Sequence, residues 1–312
     1  MYEKHRFDER TFTKGLHLII WGFFLKLMIA DRAGIIVDTV FDNFPTYQGC
    51  YILVAGILYS IQLYTDFMAC VAISQGTAAL FGIELIDNFR HPYQSDSIKE
   101  FWRRWHISLS NWLRDYVYIP LGGGRKGKLN KYLNLALTFL VSGLWHGTGY
   151  KYVFWGMLHT AYQVVGEITS PFKNQIYDAV KMPKDSLPRK VLQTLGTFFW
   201  VMLAWIIFRA KGLKMGISMI ISIFTTYNPW VLFDDSLFRL GATWKEWLLL
   251  LLAIGFLFFI ERKQKTVCIR DWLLEQHIMV RWTLYIMTIC GICMFGTYGF
   301  GFNPQDFIYG GF

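Results

Sequence analysis

Residues 97–128, SIKEFWRRWHISLSNWLRDYVYIPLGGGRKGK, and the nearby 139–150, FLVSGLWHGTGY, decide how the rest of the chain is read. In the first stretch Trp102, Trp105, Leu109, Trp112 and Tyr116 recur at spacings of three and four, so a continuous helix carries all five on one face. One register over, Arg103, His106, Ser110 and Arg114 supply cations, an imidazole and a hydroxyl. The pattern predicts an amphipathic helix lying in a membrane interface. Ser97 followed by Glu100 predicts a capping box at its start, and Pro120 with Gly122, Gly123 and Gly124 predicts its end. The second stretch delivers Trp145 and His146 to the end of an apolar helix, where Gly147 and Gly149 leave room for another backbone or a ligand.

The composition places the chain in a bilayer. It is 54% hydrophobic, 18% aromatic and 17% charged, which is more apolar surface than a soluble domain of this size hides. Crossing the hydrocarbon takes roughly 20 mostly apolar residues in a helix. Seven stretches qualify or come close: 15–30, 50–73, 132–148, 152–168, 191–208, 245–260 and 282–300. The expected fold class is therefore all-α, a polytopic membrane protein read as a single membrane domain over 1–312. Charged residues fill the first 14 positions with no signal-peptide pattern, so the first apolar segment is expected to stay attached. Lys and Arg number four in 1–14, one in 31–48, nine in 76–131, five in 171–190 and five in 261–281. The basic loops are expected in the cytoplasm, with 31–48 and the C-terminus outside. Such loops on an anionic leaflet account for the net charge of +9 without a nucleic-acid partner. Residues 171–190, with Pro171, Pro183 and Pro188, read as a loop dividing an active-site half from a supporting half, and 216–227 as an interfacial helix or a further span.

Several residues invite chemical readings. Asp66 lies within the second span, where an acid costs roughly 2.5–3.5 kcal/mol, so it needs a hydrogen-bonding partner that pins helices together or a part in proton handling. Lys26, near the end of the first span, is expected to snorkel to the interface. His106 on a polar face commonly meets solvent or head groups. His146 is the stronger candidate, because imidazole is matched to removing a hydroxyl proton near neutral pH. His159 within the next span reads as a hydrogen-bonded core residue. GGGRKGK (122–128) lacks the GxxxxGK[ST] pattern of a nucleotide loop and fits a turn meeting the phosphates of lipid or of an acyl donor. Cys290 and Cys293 form a CxxC without a second Cys or His pair, which reads as packing; no metal site is expected.

Taken together, FWRRWHISLSNWLRDYVYIPLGGGRKGK, GLWHG and FWGMLH resemble the signature of the membrane-bound O-acyltransferase family, in its bacterial, AlgI-like, polysaccharide-acylating branch. With QLYTDF, ALFGIEL and NFRHPY the resemblance is dense over about 60–165, and 191–312 resembles the family in its hydrophobic layout, as supporting helices, and in the ending YGFGFNPQDFIYGGF. The resemblance implies a ring of transmembrane helices with interfacial or re-entrant helices around a central funnel, in a bacterial plasma membrane. It implies that His146 is the essential histidine, that His106 lines the same site, and that no cofactor is bound. The donor implied is a thioester, acetyl-coenzyme A, with Arg103, Arg104, Arg114, Arg125 and Lys126 able to hold its phosphates; Asp66, Ser110, Trp145 and His159 are the further candidates for donor or substrate contact. The partners implied are the lipid bilayer, an extracytoplasmic SGNH or esterase-like acyltransferase, and a polysaccharide acceptor. Departures accompany the match: Ala72 stands where many relatives carry a second acid, and the family has several spans ahead of the point where this chain begins, so a fragment is expected. A D-alanyl transferase for teichoic acid and a non-enzymatic polysaccharide exporter are the alternatives; the exporter needs paired charges within spans, and few beyond Asp66 are evident.

Overall fold

The computed structural model describes residues 7–298 and 307. These are mostly helical, with no strand among the described residues. In chain order the helices are α1 (Glu9–Phe24), α2 (Asp31–Asp42), α3 (Cys50–Leu80), α4 (Ile98–Arg104), α5 (Ile107–Leu113), α6 (Lys128–Trp145), α7 (Tyr150–Ala179), α8 (Leu187–Arg209), α9 (Leu213–Thr225), α10 (Trp244–Gln264), α11 (Ile269–Glu275) and α12 (Ile278–Phe295). Each of the seven apolar stretches lies largely in helix, but 146–148 and 296–298 fall beyond the helix ends, and 299–300 lies outside the described residues. So does the family-like ending, apart from Tyr298 and Phe307. Three helices, α3, α8 and α12, are on their own long and apolar enough to cross a bilayer. The described residues separate into two compact units, one holding 7–86 and 227–298 and the other 87–226.

In the first unit, α1 runs through a π-helical turn, Leu25–Ala30, directly into α2. The supposed loop 31–48 is therefore helix up to Asp42, and only 43–49 connects α2 to α3. The π turn has a chemical consequence. Its hydrogen bonds join residues five apart, and the Asp31 N–H donates to the Lys26 carbonyl. An α-helix would put Lys26 and Asp31 on different faces; here Lys26 Nζ reaches Asp31 Oδ1 at 2.9 Å and Asp66 Oδ1, on α3, at 2.7 Å. All three side chains are buried. Lys26 thus does not snorkel, because two carboxylates hold it inside. A second buried polar contact, Tyr64 Oη–H to Glu261 Oε1 at 2.6 Å, ties α3 to α10. Paired charges within the helices are accordingly more numerous than the sequence suggests.

In the second unit, α6 and α7 form a hairpin at close backbone approach. A Cβ at Gly143 would collide with the Tyr152 carbonyl oxygen, and one at Gly156 with the Phe139 carbonyl oxygen. Small residues at such crossings let helices associate inside a membrane, where burial of apolar surface no longer drives them together. α7 continues through Pro171 to Ala179, so 171–190 is not one loop. Proline removes a single hydrogen bond from a helix of 30 residues, and the turn proper comes after it. α9, of 13 residues, occupies the stretch that read as an interfacial helix or span.

Candidate active site

The single amphipathic helix expected over the signature is three pieces. α4 ends at Arg104, Trp105 is extended, and His106 is left-handed at φ 45° before α5 begins. A π-helical turn, Arg114–Tyr118, follows α5. The break is stabilised from outside, by the segment around Asn88. Arg90 N–H donates to the Arg104 carbonyl, Ile107 N–H to the Asn88 carbonyl, and Asn88 Oδ1 accepts from both Ser108 N–H (3.1 Å) and Ser108 Oγ–H (2.6 Å). Ser110 Oγ–H donates to the Trp105 carbonyl, so the groups freed by the break are satisfied. The aromatic stripe divides in consequence: Trp105 and Leu109 are buried, whereas Trp112 and Tyr116 are exposed. At the start, Ser97 caps α4 by accepting from Glu100 N–H, but the Glu100 carboxylate turns instead to Arg104 (2.9 Å) and Arg103 (3.4 Å).

His146 is the C-cap of α6 and is 5% exposed. Its ring stands edge-on to Trp155 (5.4 Å, 89°) and Phe208 (5.3 Å, 81°), which fix it between α7 and α8. The room left by Gly147 is taken by the Tyr152 ring, and that left by Gly143 by the α7 backbone. His106 is half-buried, with His146 among the groups that act on it. Burial, reinforced by that neighbour, pushes the His106 imidazole down to about 4, so it is neutral at physiological pH. Ser108 Oγ sits 3.4 Å from His106 Nδ1. Lys151 braces the other wall by donating to the Phe208 and Ala210 carbonyls at the end of α8.

Beside this pair, within the same unit, is a cavity of about 1780 Å³. Its α6 wall includes Thr138, Phe139 and Ser142. His146 is the next position on that face, one turn beyond Ser142; neither it nor His106 lines the cavity itself. Of the candidates, Arg103, Ser110 and Arg114 line it, joined by further cations at Arg90, Lys99, Lys131 and Lys173. Arg104 does not. Arg125 and Lys126 are exposed on the glycine turn, which Asn134 Nδ2 staples to α6 through the Leu121 and Gly123 carbonyls. Trp145 is exposed beside Trp112, with ring centroids 6.0 Å apart. His159 is buried behind Trp102, in agreement with a hydrogen-bonded core residue. Asp66 belongs to the other unit, in the ion cluster with Lys26 and Asp31. The sequence reading missed Lys26, whose signal was a cation inside an apolar run five residues ahead of an acid, and Lys151 and Asn88, which had none. Among the described residues no group of His, Cys, Asp and Glu is arranged to hold a metal ion.

A helical membrane protein that sets one buried and one half-buried histidine beside a cavity rich in cations has the parts of a group-transfer enzyme. Residues 2–202 match the profile of the membrane-bound O-acyltransferase family, and the chain belongs to that family. It is 38% identical over 237 residues to the “Probable alginate O-acetylase AlgI” of Pseudomonas putida, covering 73% of this chain and 45% of that protein. A peptidoglycan O-acetyltransferase of Helicobacter pylori is 37% identical over 68% of this chain and 39% of its own length. A teichoic acid D-alanyltransferase of Bacillus subtilis is 32% identical over 51% of this chain and 42% of its own. The matched region thus spans less than half the length of these curated relatives.

Proposed function

We propose that this chain carries the transfer site of a membrane O-acyltransferase that moves an acyl group, acetyl, from acetyl-coenzyme A in the cytoplasm towards a hydroxyl acceptor, for acylation of an extracytoplasmic polysaccharide or cell-wall polymer. The observation that supports it most is the buried His146, with the half-buried His106 near it, one helical turn from a cavity whose lining is rich in cations. In this reading Arg103, Arg114 and Lys131 hold the donor's phosphates at the cavity, because guanidinium and ammonium groups pair with phosphate through charge-assisted hydrogen bonds. The thioester reaches inward along the α6 face past Thr138 and Ser142. His146 takes the proton of the acceptor hydroxyl as its oxygen attacks the thioester carbon. His106 lines the same site, and an adjacent donor stabilises the oxyanion that forms. The carbon–sulfur bond then breaks, and the departing thiolate takes the proton from the His146 imidazolium and leaves as the thiol. Asp66, already engaged by Lys26, holds helices together. The bacterial plasma membrane is the location, and an SGNH or esterase-like protein outside completes transfer to the polymer.

Replacing His146 by Ala tests this: transfer of labelled acetyl is expected to vanish while membrane insertion is unchanged, and undiminished transfer removes the mechanism. The similarity to a D-alanyltransferase supports a second reading, in which the acyl group comes from a carrier protein. The lower identity and shorter match favour the first. Turnover of labelled acetyl-coenzyme A, set against capture of such a carrier protein, separates the two.

A further inference from the structure

His159 takes no step in the mechanism above, yet it is an imidazole with no exposed surface inside a helix of a membrane protein. Its ring is walled by Trp102 (4.9 Å, 88°), Trp155 (4.9 Å, 74°), Tyr162 (5.8 Å, 84°) and Phe139 (6.0 Å, 21°). In this cage Trp102 Nε1–H donates to His159 Nδ1 at 3.2 Å. An indole nitrogen only donates, so Nδ1 is bare and the ring proton sits on Nε2. Nε2 is buried without a hydrogen-bond partner among the described residues. As a space filler, histidine is a poor choice here: phenylalanine would fill the cage without stranding a polar atom. What histidine adds is the acceptor for Trp102.

That acceptor bears on the cavity. Trp102, Phe139 and Tyr162 are all parts of its wall, and Trp155 touches both His159 and His146. Holding the Trp102 indole therefore holds the wall at the level of α4. We propose that His159 is a positioning residue whose Nδ1 fixes the Trp102 indole in the rotamer that shapes the donor cavity. The inference rests on the reading of that cavity as the donor site.

The test follows the Trp102 indole N–H by NMR in full-length protein carrying nitrogen-15 tryptophan, the signal being assigned by its loss in Trp102→Phe. In His159→Phe, which keeps a ring but offers no acceptor, the signal is expected to move towards that of a free indole. In His159→Asn, whose Oδ1 accepts near the former Nδ1, it is expected to return. Acetyl-coenzyme A titrated into the wild type is expected to shift the same signal, with half-saturation roughly fivefold higher in His159→Phe, as loss of one neutral hydrogen bond implies, and near normal in His159→Asn. If His159→Phe does not insert, His159→Leu takes its place. An unmoved Trp102 signal in the acceptor-free variant, a wild-type signal indifferent to acetyl-coenzyme A, or equal half-saturation in all forms overturns the proposal. Failure here alongside loss of transfer in His146→Ala leaves the transfer reading standing, whereas the expected Trp102 responses in a protein whose transfer survives His146→Ala show the reverse.

Discussion

Replacing Gly156 by Ala asks whether the α6–α7 crossing sets the geometry around His146. The added Cβ would collide with the Phe139 carbonyl oxygen and stand 3.0 Å from its carbonyl carbon. Both atoms are backbone, so no side-chain rotation relieves the clash and the helices must part. Overpacking of this kind costs about 1–3 kcal/mol, and the better helix propensity of Ala returns about 1 kcal/mol. The net loss of stability, about 0–2 kcal/mol, leaves the protein folded. Geometry is the more sensitive quantity. α6 bears Thr138, Ser142 and His146, and a misplacement of about 1 Å at a reacting group costs about 100-fold in rate. Gly156→Ala is therefore expected to insert, to melt within a few degrees of wild type, and to lose roughly 10- to 100-fold in acetyl transfer at saturating donor. Gly255→Ala is the control, because a Cβ there meets nothing within 4 Å. It is expected to transfer normally and to melt slightly higher. Labelled-acetyl transfer in nanodiscs, with melting followed by a thiol-reactive dye on the free cysteines, gives both quantities. Transfer by Gly156→Ala within twofold of wild type would refute the argument that this contact positions the site.

Two further outcomes follow from buried charge. Lys26→Met leaves Asp31 and Asp66 buried without their cation, which is expected to cost about 3–5 kcal/mol; adding Asp66→Asn should recover part of it, so strict additivity of the two melting shifts would count against the triad. For His106 the sign is set by a folded-state value of about 4 against about 6.5 unfolded. Between these the unfolded chain binds the proton and the folded chain does not, so stability is full above about 6.5 and falls as pH drops through the window, by up to about 3 kcal/mol. Melting from pH 7 to 5 should be steeper for wild type than for His106→Gln, and parallel curves would contradict the assignment.

Element positions were legible because each apolar run is long enough to demand a helix, and Ser97 marked the start of α4 by side-chain chemistry that needs no tertiary context. The break at Trp105–His106 was not legible. The three-and-four spacing of Trp102, Trp105 and Leu109 is what a continuous helix requires, and the bonds that interrupt it come from Asn88 and Arg90, outside the window in which periodicity is measured. Lys26 was misread for a related reason: a five-residue separation from Asp31 pairs nothing on an α-helix, and only the π turn brings the two together. Pro171 was over-read, since one lost hydrogen bond does not end a helix held along its length by neighbours. For the site, the histidines were found by residue type, but the cage of Trp102, Phe139, Trp155 and Tyr162 around His159 depends on three helices, α4, α6 and α7, meeting.

The left-handed backbone at His106 bears on the chemistry. A residue other than glycine in that region costs about 1–2 kcal/mol, and glycine at this position would remove the cost. Were α4 and α5 one helix, the residue at 106 would project one position round from Trp105, on the wet face that the sequence pattern assigns it. The turn at φ 45° instead leaves it half-buried, where partial burial and the neighbouring His146 keep the imidazole neutral. Ser108 gives its hydroxyl proton to Asn88, so towards His106 Nδ1 its oxygen can only accept, which sets the proton of the neutral ring on Nδ1 and leaves the lone pair on Nε2. The strain thus falls on a residue of the proposed site, and the hydrogen bonds that Asn88 accepts and Ser110 donates offset it within the same few residues.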